Sequence, residues 1–163
     1  MSVLPILTIP NPLLKQTSIS VEKIDNETKL LIDNIKKTLY SHERCVGIAA
    51  VQVGILKRII AVDASRSAKE HRNNGFLIMI NPMIVYSSGK ISSREGCLSV
   101  PEFTAYVTRK KKIEIDYLDI NGCKQHLKTD GFEAIVVQHE IDHLDGKVFL
   151  DRVTSLKTDV FRR

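Results

Sequence analysis

Phe132-Glu133-Ala134-Ile135-Val136-Val137-Gln138-His139-Glu140-Ile141-Asp142-His143-Leu144-Asp145-Gly146 is the most informative stretch of this chain. Phe132, Ala134, Ile135, Val136, Val137, Ile141 and Leu144 cover most of the circumference of a helix starting just after Asp130-Gly131. A helix that is apolar nearly all round is a buried one, and Gly146 is a suitable C-terminal stop. Its middle nevertheless carries Gln138, His139, Glu140, Asp142 and His143. Polar groups in such a place require partners. His139 and His143, four residues apart, leave the same helix face one turn apart. With Glu140 between them they make the H-E-x-x-H pattern, in which two ring nitrogens reach one metal and the carboxylate stays free to handle a water. The apolar flanks argue against a chance pair of surface histidines.

A catalytic metal site usually takes three protein ligands and keeps one open position. Cys97 is the best third candidate, because in Glu95-Gly96-Cys97-Leu98-Ser99 a small residue and a turn can aim a thiolate inward. Cys123 lies beside a predicted hairpin turn and reads as a peripheral thiol, while His42, His71 and His126 read as exposed loop or strand residues. A further segment runs Cys45-Val46-Gly47-Ile48-Ala49-Ala50-Val51-Gln52-Val53-Gly54. Small residues there let backbone approach another group closely, and Gln52 offers an amide donor in an apolar run.

Outward from these segments the chain reads as one globular catalytic domain over residues 1–163, with a short basic tail. Its 163 residues are 43% hydrophobic and 26% charged, an ordinary soluble balance. No apolar run reaches the roughly 18–20 residues that span a bilayer. Met1-Ser2-Val3-Leu4-Pro5-Ile6 lacks the features of a secretory signal, so a cytoplasmic protein with no membrane partner is expected. Three cysteines are too few for a disulfide framework and read as reduced thiols. The net charge of +5 is spread out, apart from Arg109-Lys110-Lys111-Lys112 and Arg162-Arg163. The internal run reads as a solvated strand edge. No binder of a specific nucleic-acid sequence is indicated.

Helical spacing of Leu31, Ile35 and Leu39 predicts a helix from Asn26 to Tyr40 with Asp25 as N-cap. Residues 58–62 and 76–80 are short apolar strands, the second ended by Asn81-Pro82. Ile113, Ile115 and Tyr117 alternate with charges, and Asn121-Gly122 turns the chain into a second strand over 123–127. Strand following strand directly argues for an α+β fold, with antiparallel sheets packed around the buried H-E-x-x-H helix.

Taken in order, Gly47-Ile48-Ala49-Ala50-Val51-Gln52, Glu95-Gly96-Cys97-Leu98-Ser99 and Gln138-His139-Glu140-Ile141-Asp142-His143-Leu144 resemble the motifs of the peptide deformylase family. Pro10-Asn11-Pro12-Leu13-Leu14 is similar to the family's opening, so the resemblance extends to about Asp151. It implies hydrolysis of the formyl group from the formyl-methionine that begins new polypeptides. It further implies that Cys97, His139 and His143 hold the metal and that Glu140 is the general base for a metal-activated water. The Gln52 amide and the Leu98 backbone N–H would stabilise the oxyanion. Gly47, Ile48, Glu95, Gly96, Phe132, Ile135 and Val136 would line the substrate site. Fe2+ is the metal the family implies; a Cys-His-His set alone favours zinc, and nickel and cobalt are further divalent candidates. Nascent formylated chains are the implied partners, with the ribosome surface a second.

By the same resemblance Glu95 would pair with Arg109 and brace the Cys97 segment. Cys45 stands where the family has glycine; a positive φ under strain and a second thiol near the metal are two readings, and a less demanding backbone is the favoured one. Thr104 stands where many relatives carry arginine, and the tail after Asp151 is short for the long helix of some relatives. Two rivals remain from the sequence: an H-E-x-x-H metallopeptidase, and an idle homologue that binds nascent chains or the ribosome. The cysteine ligand argues against the first, and the complete set Cys97, His139, Glu140, His143 and Gln52 against the second.

Overall fold

The computed structural model describes residues 1–163 throughout. Its elements run α1 (Asn26–Ser41), β1 (Gly47–Ala49), β2 (Ile59–Asp63), β3 (Phe76–Ser88), β4 (Ile91–Cys97), β5 (Val100–Arg109), β6 (Lys112–Leu118), β7 (Lys124–Asp130), α2 (Gly131–Leu144) and β8 (Val160–Arg162). Short 3-10 turns lie at Pro12–Lys15, Ala50–Val53, Ala64–Arg66 and Phe149–Arg152. One sheet has the strand order β1-β2-β3-β6-β7, the other β4-β5-β8. Every ladder is antiparallel, as direct strand-to-strand succession predicts.

At its β1-β2 end the five-stranded sheet is covered on both faces, and residue alternation in β2 assigns the cover. Ile60 and Val62 pack in one cluster with Ala134, Val137, Ile141 and Leu144 of α2. Ile59 and Ala61 pack in another with Ile32, Ile35 and Leu39 of α1. A strand with period-two side chains can serve two layers at once. A third cluster joins Val100, Ala105 and Val107 of β5 to Cys97, Val148 and Phe149. Every residue of α2 from Glu133 to Leu144 is buried, so the helix lies between the sheets. Helix α1 begins where expected, with the Asp25 carboxylate accepting from Thr28 N–H at 2.9 Å.

Two sequence expectations need correction. Strand β3 does not stop at Asn81-Pro82 but continues to Ser88, with a register shift between Ile80 and Met83. Asn81 sits at φ 51°, and its side chain accepts from Val21 N–H at 2.8 Å and donates to Val21 O at 2.9 Å. A distant segment thus holds a bulge open where proline would otherwise end the ladder. Secondly, Arg109 is no part of a solvated edge: it is buried, while Lys110 to Lys112 lie exposed at the passage from one sheet to the other.

Candidate metal centre and peptide cleft

Helix α2 presents His139 and His143 toward the end of β4, where Cys97 closes the strand. The ring centroids of the two histidines stand 5.0 Å apart, and Cys97 Sγ lies 3.3 Å from His143 Nε2. One ligating atom from each of Cys97, His139 and His143 falls within 4.8 Å of the others, and all three residues are buried. Burial alone would raise the Cys97 thiol, but the facing His143 and His139 override it and hold the group well below the usual thiol range. Burial opposes charge on His139 too, yet Cys97 and Glu95 raise it well above its ordinary value. A buried thiolate between two imidazoles is the donor set that a first-row divalent ion fits.

Glu140 lies beside this set. Burial pushes its carboxyl up to about 7, against the lowering influence of His139 and His143 and with some help from Cys97. Its Oε2 is buried without a hydrogen-bond partner. The carboxylate has its position because Gly47 has no side chain: a Cβ there would stand 2.5 Å from Glu140 Oε1. Gln52 is set from β1, where Ala49 N–H donates to its Oε1 at 2.9 Å. That leaves its Nε2 3.4 Å from Cys97 Sγ and donating to Ser99 Oγ at 3.0 Å.

A polar frame fixes the ligands from behind. Glu95 Oε1 lies 2.8 Å from His139 Nδ1, which commits Nε2 of that ring to the centre. Arg109 donates to both oxygens of Glu95, at 2.6 and 2.9 Å, and to Asp142 at 2.9 Å. Asp142 in turn accepts from Arg152 at 3.0 and 2.7 Å. The Gln138 amide donates to Lys110 O and accepts from Lys110 N–H. Each polar residue of the buried helix except Glu140 and His143 therefore has a protein partner on its outer side.

The centre opens into a cavity of about 890 Å³ lined by Gly47, Gln52, Glu95, Gly96, Cys97, Leu98, Phe132, Ile135, Val136, His139 and Glu140, among others. Ile48 is placed otherwise. It is fully buried in the α1-side cluster, since alternation along β1 turns it away from the cavity. His71, read as a plain loop residue, stacks on Phe132 with centroids 4.4 Å apart and lines the cavity. His126 is exposed on β7, paired with Asp116 and Glu114. Cys45 does not adopt a positive φ, and it stands outside the three-residue donor group. Its Sγ donates to Gly47 O at 3.2 Å, and burial, with the charge of Glu140, pushes the thiol up to about 12. Ser99 was not singled out from the sequence, where its position beside Cys97 is the only signal it carries; Asp142 was expected to need a partner, and Arg109 and Arg152 supply it.

Sheet arrangement, buried H-E-x-x-H helix and Cys-His-His donors together define a metal-binding hydrolase of the α+β class. The polypeptide deformylase family model matches residues 3–159. Peptide deformylase of Thermodesulfovibrio yellowstonii is 40% identical over 163 residues, all of this chain and 96% of the relative. That of Rickettsia akari is 45% identical over 166 residues, all of this chain and 94% of the relative. Among solved structures, Ehrlichia chaffeensis peptide deformylase in complex with actinonin superposes with a TM-score of 0.87 at 40% identity, covering 96% of this chain and 92% of that one. The class I type b enzyme of Acinetobacter baumannii with Met-Ala-Ser bound gives 0.87 at 34% identity, covering 93% and 100%. This chain belongs to the peptide deformylase family.

Proposed function

We propose that this chain hydrolyses the formyl group from the N-terminal formyl-methionine of newly made polypeptides at the Cys97, His139 and His143 centre. The observation that carries the reading is the convergence of those three donors within 4.8 Å, next to a buried carboxylate oxygen with no other partner. The donors suit one divalent ion; Fe2+ is the family's expectation and zinc the choice of the ligand chemistry alone. When bound, the ion supplies the Lewis acidity that polarises the formyl carbonyl and acidifies water.

The remaining roles fall to the protein. Glu140, raised to about 7 by its burial, accepts the proton of the attacking water and returns one to the departing amine. Gln52, with its amide nitrogen at the edge of the donor set, and the Leu98 backbone N–H donate to the developing oxyanion. Phe132, Ile135 and Val136 supply the apolar wall for the methionine side chain, and Gly47, Glu95 and Gly96 border the path of the chain behind it. Both sheets contribute residues to the centre, which supports a single catalytic domain over residues 1–163. A net charge of +5 favours meeting the nascent chain at the polyanionic ribosome surface.

The test offers metal-loaded protein formyl-Met-peptides and unblocked peptides side by side, following formate release and peptide-bond cleavage. Formate release from the blocked peptides alone is expected. Internal cleavage with the formyl group intact would make this a metallopeptidase, and a metal-loaded protein without turnover would make it an idle homologue. No helix is long and apolar enough to cross a membrane.

A further inference from the structure

The tail does something that the motifs do not announce. Strand β8 pairs along β5, with Phe103 opposite Arg162 and Thr104 opposite Phe161, and Arg163 N–H donates to Glu102 O at 2.8 Å. Alternation places Phe161 and Arg163 on one face of the three-stranded sheet, the face that carries Arg94 and Gly96 of β4 and Thr104 and Tyr106 of β5. Phe161 is fixed there by Arg94, whose guanidinium lies 4.5 Å from its ring centroid, and by an edge-on contact with Tyr106 at 5.8 Å. Arg94 also donates to Thr104 Oγ1 at 2.8 Å. Two residues beyond Phe161, the Arg163 guanidinium reaches across the small Thr104 and fills the space over Gly96 that a Cβ would need. Gly96 is next to the ligand Cys97, so the tail places a cation over the floor of the substrate cavity.

Arg163 is exposed and makes no ion pair. Three further cations line the same cavity without an acidic partner: Arg94, Arg44 and Lys69. The one exposed acid in the lining is Glu43; Glu95 and Glu140 are buried and belong to the centre. The cavity therefore has an apolar inner end at Phe132, Ile135 and Val136 and a net cationic mouth, with Arg44, Lys69, Arg94 and Arg163 set against Glu43 alone. Unpaired cations at the mouth of a low-dielectric cleft focus a positive potential on whatever passes through it.

We propose that Arg163 is a specificity-determining residue for the peptide beyond the formyl-methionine, and that with Arg94 it selects polypeptides with acidic side chains in their first few positions. This rests on the deformylase reading above. Arg163 touches the passing chain and takes no part in bond cleavage. An exposed pair of this kind is weak and screened by salt, so the preference is moderate and depends on ionic strength.

The experiment measures kcat/KM of the metal-loaded full chain for formyl-Met-Ala-Glu-amide and formyl-Met-Ala-Lys-amide, the amide removing any terminal carboxylate. Wild type is expected to favour the Glu peptide by about fivefold at low ionic strength, with the ratio shrinking as salt rises. Arg163→Glu should bring the ratio to about one or below, Arg163→Gln should fall between, and Arg163→Lys should restore much of it. Lys157→Glu makes the same change of charge in the tail outside the cavity and should keep the wild-type ratio. A wild-type ratio of about one, or a ratio unchanged by Arg163→Glu, would overturn the assignment while formate release leaves deformylation standing. Absence of formate release from every formyl peptide would overturn the deformylase reading, and this inference with it.

Discussion

The Glu95 carboxylate holds His139 and Arg109 at once: Oε1 lies 2.8 Å from His139 Nδ1, and the Arg109 guanidinium donates to both oxygens. Burial would raise Glu95, but His139 and Arg109 outweigh it and keep the carboxyl below its ordinary range. A carboxylate on the rear nitrogen of a ligand histidine fixes the tautomer and makes the ring a better donor. Glu95→Gln is therefore expected to lower metal affinity by about 10–100-fold, as read by competition with a chelator. Unchanged affinity and turnover would remove the bracing role. Arg109→Ala would remove the cation that Glu95 and Asp142 share, leaving Glu95 with His139 alone and Asp142 with Arg152 alone, and urea unfolding should show a loss of about 3–5 kcal/mol.

Glu140 and Cys97 should separate when each is removed. Glu140→Ala is expected to keep the metal and lose about 10²–10⁴ of the rate, whereas Cys97→Ala loses metal as well. Metal content by elemental analysis, beside formate release, distinguishes them. Equal metal loss in both variants would make Glu140 a ligand and sink the base assignment.

Gly47 tests how closely β1 packs against the carboxylate. Gly47→Ala would put a methyl group 2.5 Å from the present position of Glu140 Oε1, so one of the two must move. Overpacking of this kind costs about 1–3 kcal/mol, and the displaced group is the proposed general base. Turnover should therefore fall far more than the melting temperature suggests. Full activity in Gly47→Ala would show that the carboxylate has room to shift without consequence.

The exposed hairpin gives a pH-dependent signal well away from the centre. Asp116 and Glu114 raise His126 above its ordinary value of about 6.5. A raised folded value means that the cluster's contribution to stability is complete below the unfolded value and fades as pH rises through the folded one. His126→Gln should thus be less stable than wild type at mildly acidic pH and converge with it in alkali. An NMR titration placing His126 at or below its ordinary value would contradict this.

Much of the framework was legible in local pattern. Apolar residues round the whole of α2, with His139 and His143 four apart in its middle, specify a buried helix with two candidate ligands on one face, because both follow from the 3.6-residue period. The Asp25 cap and the hairpin through Asn121-Gly122 were legible for the same reason: each depends on residues a few positions apart. The fold class followed from strand succession.

What the sequence by itself determined is where chemistry-bearing groups sit on each helix and strand, since short-range periodicity sets side-chain directions wherever an element has distinct polar and apolar faces. Tertiary structure alone decided which of those groups meet. Asn81 keeps β3 running because Val21 captures its amide, Ile48 faces α1 because alternation gives the α2 side of β1 to Ala49, and Arg109 is buried because Glu95 and Asp142 arrive from other elements. Arg163 reaches the cleft only because β8 returns along β5. Contacts between residues far apart in the chain leave no periodic trace, so only the folded molecule reveals them.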